Sequence, residues 1–323
     1  MHLHSPKGFQ MQKSSQWMVV VLLFFVALPV QAWFNGGHMV VAYIAYQNLT
    51  PAARSRVDDL LKLNNMYAQW TAGVPDSQKG VAAFVKAATW PDCIKDAKCD
   101  PGFTSDGGDN PPGASTDGQN IGYKDTLMHK YWHFVDLPYS AGAPGEPPKK
   151  PNALTQIVLF TEAIGSSESD DVKSYDVVWL EHMVGDVHQP LHCTSRFTKN
   201  HPKGDAGGNL VYFCDNCKDE LHAYWDGLLG DDPTVAQVAK RGDGLLKAGK
   251  PAGADNAAPS SWIDESFALA KSAAYAPPIS DDNQPGPSPH PDKKYEAVAA
   301  KVANLRVRLA GYRLAAILNN NLK

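Results

Sequence analysis

Two stretches with helical spacing place an aspartate four positions after a histidine: His182 and Asp186 in "EHMVGDVHQPLH", and His222 and Asp226 in "LHAYWD". Residues i and i+4 share one face of a helix. Each pair therefore offers a nitrogen and an oxygen to the same point, an arrangement suited to a divalent cation. Pro190 ends the first helix, and His192 follows in the turn, aimed elsewhere. Further donors lie upstream: Asp92 at the end of "ATWPD", His133 within "YWHFVD", and His38 in "VQAWFNGGH". Histidine and carboxylate without cysteine suit zinc among the common divalent ions. A lone histidine on an apolar face more often completes a core or a surface than binds metal. The weight here comes from number, since three zinc ions need roughly ten to twelve donors, some of them water. His188, two residues past Asp186, faces away from that pair and is read as supporting a ligand or capping the helix end. His2, His4, His129, His201 and His290 are read as signal-peptide or solvated positions.

The elements that must carry these donors are mostly helical. Helical spacing covers 38–49, then a helix from Pro51 with Thr50 as its N-cap, running to about Leu63. Similar spacing covers 78–90, 153–164, 175–187, 218–229, 234–246, 262–275 and 294–319. The one strand signal is "NLVYFC", 209–214, read as half of a small hairpin. Between the helices lie long loops rich in Gly, Pro and Asp at 100–122, 138–151, 198–208 and 277–291, and loops of that length inside a domain are usually functional or mobile. With no internal repeat, the expectation is an all-α protein with a small β-hairpin and one domain over 33–323.

The first 32 residues differ from the rest. Lys7 and Lys13 precede the apolar run Met18–Leu28, and Val30-Gln31-Ala32 offers a small-residue cleavage pattern, so 1–32 reads as a secretory signal peptide. The run is too short for a membrane span, which needs about 20 apolar residues. The expectation is a secreted or periplasmic protein that begins at Trp33 and has no anchor after cleavage. Losing two lysines and no acid takes the formal charge from −4 to −6, so no basic patch advertises a polyanion. Export permits disulfides. A bridge within Cys193, Cys214 and Cys217 is favoured over a zinc knuckle or redox pair at Cys214-x-x-Cys217, and Cys93–Cys99 is a plausible second, small loop.

His182-x3-Asp186-x-x-Gln189-Pro190-Leu191-His192, then Gly207-Gly208-Asn209, then His222-x3-Asp226 together resemble the S1/P1 family of zinc-dependent single-strand nucleases. The wider fold of that family includes bacterial zinc phospholipases C, and the likeness covers the whole chain from Trp33. It implies an α-helical fold and three zinc ions. One would be held by Asp92, His133, His182 and Asp186. A second would take the main chain of an N-terminal Trp33, with His38 and a bridging Asp186. The third would use His192, His222 and Asp226. It further implies cleavage of single-stranded DNA and RNA to 5′-phosphates, with removal of 3′-phosphates from nucleotides in many members. Lys95 and Asn209 would contact the scissile phosphate, Asp92 would orient the attacking water, and Phe134 and Asp136 would form a base-binding pair. A paired metal site acidifies bound water and clamps both oxygens of an in-line displacement. Three dications would also supply the positive potential that this acidic chain lacks. The expected state is a monomer whose partners are nucleic acid and nucleotides.

Some features depart from the family pattern. Pro91 precedes Asp92 where a smaller, more helix-tolerant residue is expected, and the stretch from His192 to His222, with its CxxC, is long. The alternative on the same fold is a zinc phospholipase C, which should end the third metal group with Glu rather than Asp and set its first His farther from the terminal Trp. An alternative of another class, a zinc-stabilised binding protein, should close its metal shells.

Overall fold

A computed structural model describes residues 1–2, 33–95, 99–108, 110–111, 120–212, 220–231, 233–279 and 291–323. The signal-peptide reading, Cys214 and Cys217 with their proposed bridging, and the tips of two long loops lie outside these residues. What is described is mostly helical, as the spacing predicts.

Helix α1 (Asn35–Gln47) is buried along almost its whole length and lies against α4 (Lys79–Ala87), α7 (Asp170–Asp186), α9 (Val235–Leu246) and α11 (Lys293–Asn321). A helix apolar on every side can only be a core helix, and His38 on its first turn is therefore carried inside. Thr50 caps α2 (Pro51–Leu61) by accepting from the Ala53 N–H at 3.2 Å, with Pro51 at the first position. The remaining helices are α3 (Tyr67–Trp70), α5 (Trp90–Cys93), α6 (Ala153–Ile164), α8 (Leu221–Asp226) and α10 (Pro259–Leu269). Helix α7 opens earlier than its apolar spacing suggests, because Ser169 caps it and Asp170 and Asp171 stabilise its N-terminal dipole.

The end of α7 is pinned by charge. Arg306 and Arg313 of α11 are both buried and both grip Glu265 of α10, at 2.6 and 2.8 Å. Arg306 also donates to the His188 carbonyl at 3.1 Å, and Arg313 Nη1 meets His188 Nε2 at 2.7 Å. His188 is thus turned away from the Asp186 side and ties α7 to α10 and α11, consistent with its reading as a support.

The expected strand at 209–214 does not form among the described residues. Tyr212 makes one antiparallel bridge to Glu220, and 206–210 is a run of turns. The apolar residues that suggested a strand serve packing instead, with Val211 fully buried beside Leu191 and Leu221 in a second, smaller core. The sheet lies elsewhere: β1 (Pro138–Ser140) pairs in parallel with β2 (Ser195–Phe197), Tyr139 opposite Arg196. Cys93 and Cys99 are bridged, with Cα atoms 5.5 Å apart. Cys193 is a free buried thiol that donates to the Val187 carbonyl at 3.3 Å, so it takes no part in the bridge expected within Cys193, Cys214 and Cys217.

Candidate metal centre

Helix α7 delivers His182 and Asp186 one turn apart, both fully buried. The chain then turns at Gln189, whose side chain accepts from the Leu191 N–H at 2.6 Å, and Pro190 opens a short 3-10 turn carrying His192. Gln189 also donates to Asp226 Oδ1 at 2.7 Å, joining this turn to the last residue of α8. Helix α5 carries Asp92 in its first turn, where Pro91 costs no hydrogen bond because N–H groups there have no intrahelical partner. The unexpected proline therefore suits the pose of Asp92. His133 follows a 3-10 turn at 130–132, and its strap is braced to His192 twice: Val135 N donates to the His192 carbonyl, and His192 Nδ1 donates to the His133 carbonyl, both at 2.8 Å.

These residues form three groups of potential ligand atoms: His38, His182 and Asp186; Asp92, His133 and His182; and His192, His222 and Asp226. All eight are buried. Around Asp186, His38 Nε2 stands at 3.3 Å, His133 Nδ1 at 3.1 Å and His182 Nε2 at 3.2 Å. His133 Nδ1 and His182 Nε2 lie 3.6 and 3.5 Å from Asp92 Oδ1, the same oxygen that Lys95 pairs. In the third group, Asp226 is 3.9 Å from His192 Nε2 and 3.4 Å from His222 Nε2.

The third group shows that these donors suit a cation. Each Nδ1 faces a backbone carbonyl at 2.8 Å, His192 that of His133 and His222 that of Gly207. A carbonyl only accepts, so each Nδ1 carries the hydrogen and each Nε2 in the neutral ring is a bare lone pair. Those two lone pairs face each other 3.0 Å apart. Burial pulls His192 well below the usual imidazole range and His222 down to about 4, so a shared proton is disfavoured. A cation satisfies both nitrogens and the buried carboxylate of Asp226, which burial pushes well up.

The other two groups point the same way. His182 Nδ1 faces the Ala88 carbonyl at 2.8 Å, leaving Nε2 toward His133 Nδ1 at 2.9 Å. His38 Nε2 and Asp186 Oδ1 are buried without a hydrogen bond. Burial lowers His38 and His133, with the neighbouring positive charges of His182 and Lys95 adding to it. His182 is the exception: burial opposes its charge, but Asp186 and Asp92 overcome this and raise it to about 10. Burial raises Asp186 to about 6, whereas at Asp92 the charges of Lys95 and His182 outweigh burial and hold it well below the carboxylate range. A cation placed among these carboxylates answers the same negative field that favours a proton on His182.

Trp33 is buried, and its indole N–H donates to the carbonyl of Gly185, next to Asp186, at 3.1 Å. Phe34 N donates to the carbonyl of Asp226 at 3.0 Å. Residue 33 is thereby bracketed by the carriers of two of the metal-group aspartates.

Beside the third group opens a cavity of about 350 Å³, walled by His222, Phe134, Asp136 and Asn209 among others. Three of the four residues expected to meet substrate are thus together. Lys95 is the fourth, and it is nearly buried against Asp92 instead of lining this cavity. Asn209 is held by its side chain, which donates to the Ala206 carbonyl at 2.6 Å.

One buried cluster escapes a sequence reading. His129, expected to be solvated, is buried with Nε2 2.6 Å from Asp125 and Nδ1 2.8 Å from Asp106. Its ring stacks on Trp132 at 3.6 Å, and its backbone is left-handed at φ 43°. Tyr131, in the cavity wall, hydrogen-bonds Asp106 as well. Burial opposes charge on His129, yet the two carboxylates prevail and raise it. The clamped ring fixes the chain reversal immediately before His133, Phe134 and Asp136. The only sequence signal was the aspartates of a loop, whose partners are set by folding.

Residues 33–323 match the family model described as S1/P1 nuclease. No curated protein matches the chain.

Proposed function

The chain belongs to the S1/P1 nuclease family, and from that premise we propose that it is an exported zinc-dependent endonuclease acting on single-stranded DNA and RNA. The observation that carries the reading is the convergence of eight buried histidines and aspartates into three groups beside a cavity with an aromatic and an acidic wall. Zinc suits the nitrogen and oxygen donors. One ion would be held by Asp92, His133, His182 and Asp186, a second by His38, Asp186 and the Trp33 main chain, and a third by His192, His222 and Asp226. Such ions supply positive potential for a phosphate and acidify water toward neutrality.

The chain's own residues do the rest. Asp92, kept ionised by Lys95, accepts a hydrogen bond from the attacking water and so orients it. Lys95, paired with that carboxylate, would also contact the scissile phosphate. Asn209 offers an amide to the same phosphate. Phe134 stacks on a base and Asp136 accepts from its edge, which favours strands whose bases are not paired. Cleavage at the 3′ oxygen leaves 5′-phosphates, and a terminal 3′-phosphate presents the same ester, giving a 3′-nucleotidase. The mature protein would begin at Trp33 and act as a monomer. No helix among the described residues is long and apolar enough to cross a membrane.

The experiment is hydrolysis of single-stranded DNA, RNA and phosphatidylcholine by zinc-loaded protein. Acid-soluble nucleotides bearing 5′-phosphates are expected, while release of phosphocholine without nucleotide release contradicts the reading in favour of a phospholipase. The N-terminal ligand has its own test. Protein beginning at Trp33 should hold more zinc and turn over faster than protein with one added residue before it. Equal zinc and equal rates remove Trp33 from the ligand set.

A further inference from the structure

The cavity has a feature that cleavage of one phosphodiester does not use. The chain is acidic overall, and the cavity wall already holds Asp136 and Glu146. Only two lining side chains among the described residues are cationic, Lys149 and Lys203. Lys149 is committed, its ammonium donating to Asn110 Oδ1 at 2.6 Å across the rim. Lys203 is exposed and forms no ion pair with any described residue.

Lys203 stands on a loop built to hold still. Asp205, two residues on, is fully buried and accepts from Arg196 N at 2.9 Å, Gly208 N at 3.2 Å and the Tyr275 hydroxyl at 3.0 Å. The Arg196 guanidinium lies on the Tyr275 ring, 4.3 Å from its centre. His201 N donates to Thr198 Oγ1 at 3.0 Å, and Gly204 N donates to the His201 carbonyl at 3.1 Å, closing the turn that carries Lys203. Gly204 has φ +90°, and a Cβ there would come within 2.3 Å of Ser195 Oγ, so the loop lies directly on β2. Binding through Lys203 therefore orders one side chain and no backbone.

A cavity of about 350 Å³ accommodates a nucleoside. Within a polynucleotide that nucleoside carries a phosphate on each side. His222 in the wall ties one of them to the third metal-binding group. The other must pass a wall whose carboxylates repel it. We propose that Lys203 binds this neighbouring phosphate, one not cleaved in that encounter, and so makes the site prefer a chain of nucleotides to a single phosphodiester. This rests on the nuclease reading above.

The test compares wild-type, K203A, K203R and the control K301A, which removes an exposed lysine of α11. Substrates are a single-stranded 12-mer and a dinucleoside monophosphate, across a salt series. One phosphate contact on a single strand contributes about 0.7 to the slope of log affinity against log salt. K203A is expected to raise KM for the 12-mer about threefold to tenfold at low salt, to lower its salt slope by about 0.7, and to leave kcat near wild type. The KM increase should be confined to the 12-mer, K203R should restore it, and K301A should leave it alone. An unchanged 12-mer KM and slope in K203A, or the same KM increase on the dinucleoside monophosphate, overturns the proposal. If the wild type cleaves neither substrate, the nuclease reading itself fails.

Discussion

Gly185 sits on α7 next to Asp186, and a Cβ built there would lie 2.8 Å from His38 Nδ1 and 3.2 Å from His38 Cε1. Both elements are buried, so neither can yield to solvent. Gly185→Ala therefore has two opposed effects. An alanine in a helix interior is favoured over glycine by about 1 kcal/mol. Overpacking a close-packed interior costs about 1–3 kcal/mol. The balance lies between roughly no change and 2 kcal/mol of destabilisation, a Tm loss of at most several degrees at the ~2–4 °C per kcal/mol of mid-sized chains. Function should suffer far more, because the displaced ring is a proposed ligand and a misplacement of about 1 Å can cost 10²-fold. The assay is Tm, zinc per chain and kcat on single-stranded DNA, beside Gly244→Ala on α9, where nothing lies within 4 Å of the added carbon. Gly244→Ala should gain up to about 1 kcal/mol and keep full activity. Full zinc and unchanged kcat in Gly185→Ala would refute the placement of His38 as a ligand.

Two further perturbations probe the surroundings of the site. Asp176 is buried on α7, accepts from Asn120 Nδ2 at 2.5 Å, and is raised by burial to about 8 despite that bond. Its folded value exceeds the unfolded value of about 3.9, so its contribution to stability is greatest in acid and is lost as pH rises to about 8. Asp176→Asn should flatten the fall in urea midpoint between pH 5 and 8, and parallel wild-type and variant curves would contradict this. His129→Leu strands Asp106 and Asp125 without their shared partner. Breaking a buried pair costs about 3–5 kcal/mol, so the urea midpoint should drop sharply and zinc affinity fall through His133. A drop under 1 kcal/mol would argue against the clamp.

The site was more legible than the fold around it. The pairs His182/Asp186 and His222/Asp226 are local, set by helical period alone, and α7 and α8 place them as that period requires. His192 was legible because Pro190 cannot continue α7. Asp92 was found by residue type, but the helix restart at Trp90 that aims it was not, since a proline inside a helical pattern reads as a breaker until its first-turn position is known. The strand reading at 209–214 misled over its described residues because alternation reports which side chains are buried: Val211 is buried beside Leu191 and Leu221, and the pairing there is the single bridge from Tyr212 to Glu220. The real pair, β1 with β2, has three residues on each side and brings together segments 57 positions apart in register, too short and too distant to leave a pattern. The clamp on His129 was invisible for the same reason: Asp106 and Asp125 reach it through the fold.

Zinc content and product chemistry, measured on one preparation of the chain beginning at Trp33, test the central claim most directly. Three zinc ions per chain are predicted, with release of 5′-phosphorylated nucleotides from single-stranded DNA rising as zinc is restored after chelation. Full hydrolysis by protein carrying one zinc or none would contradict the account.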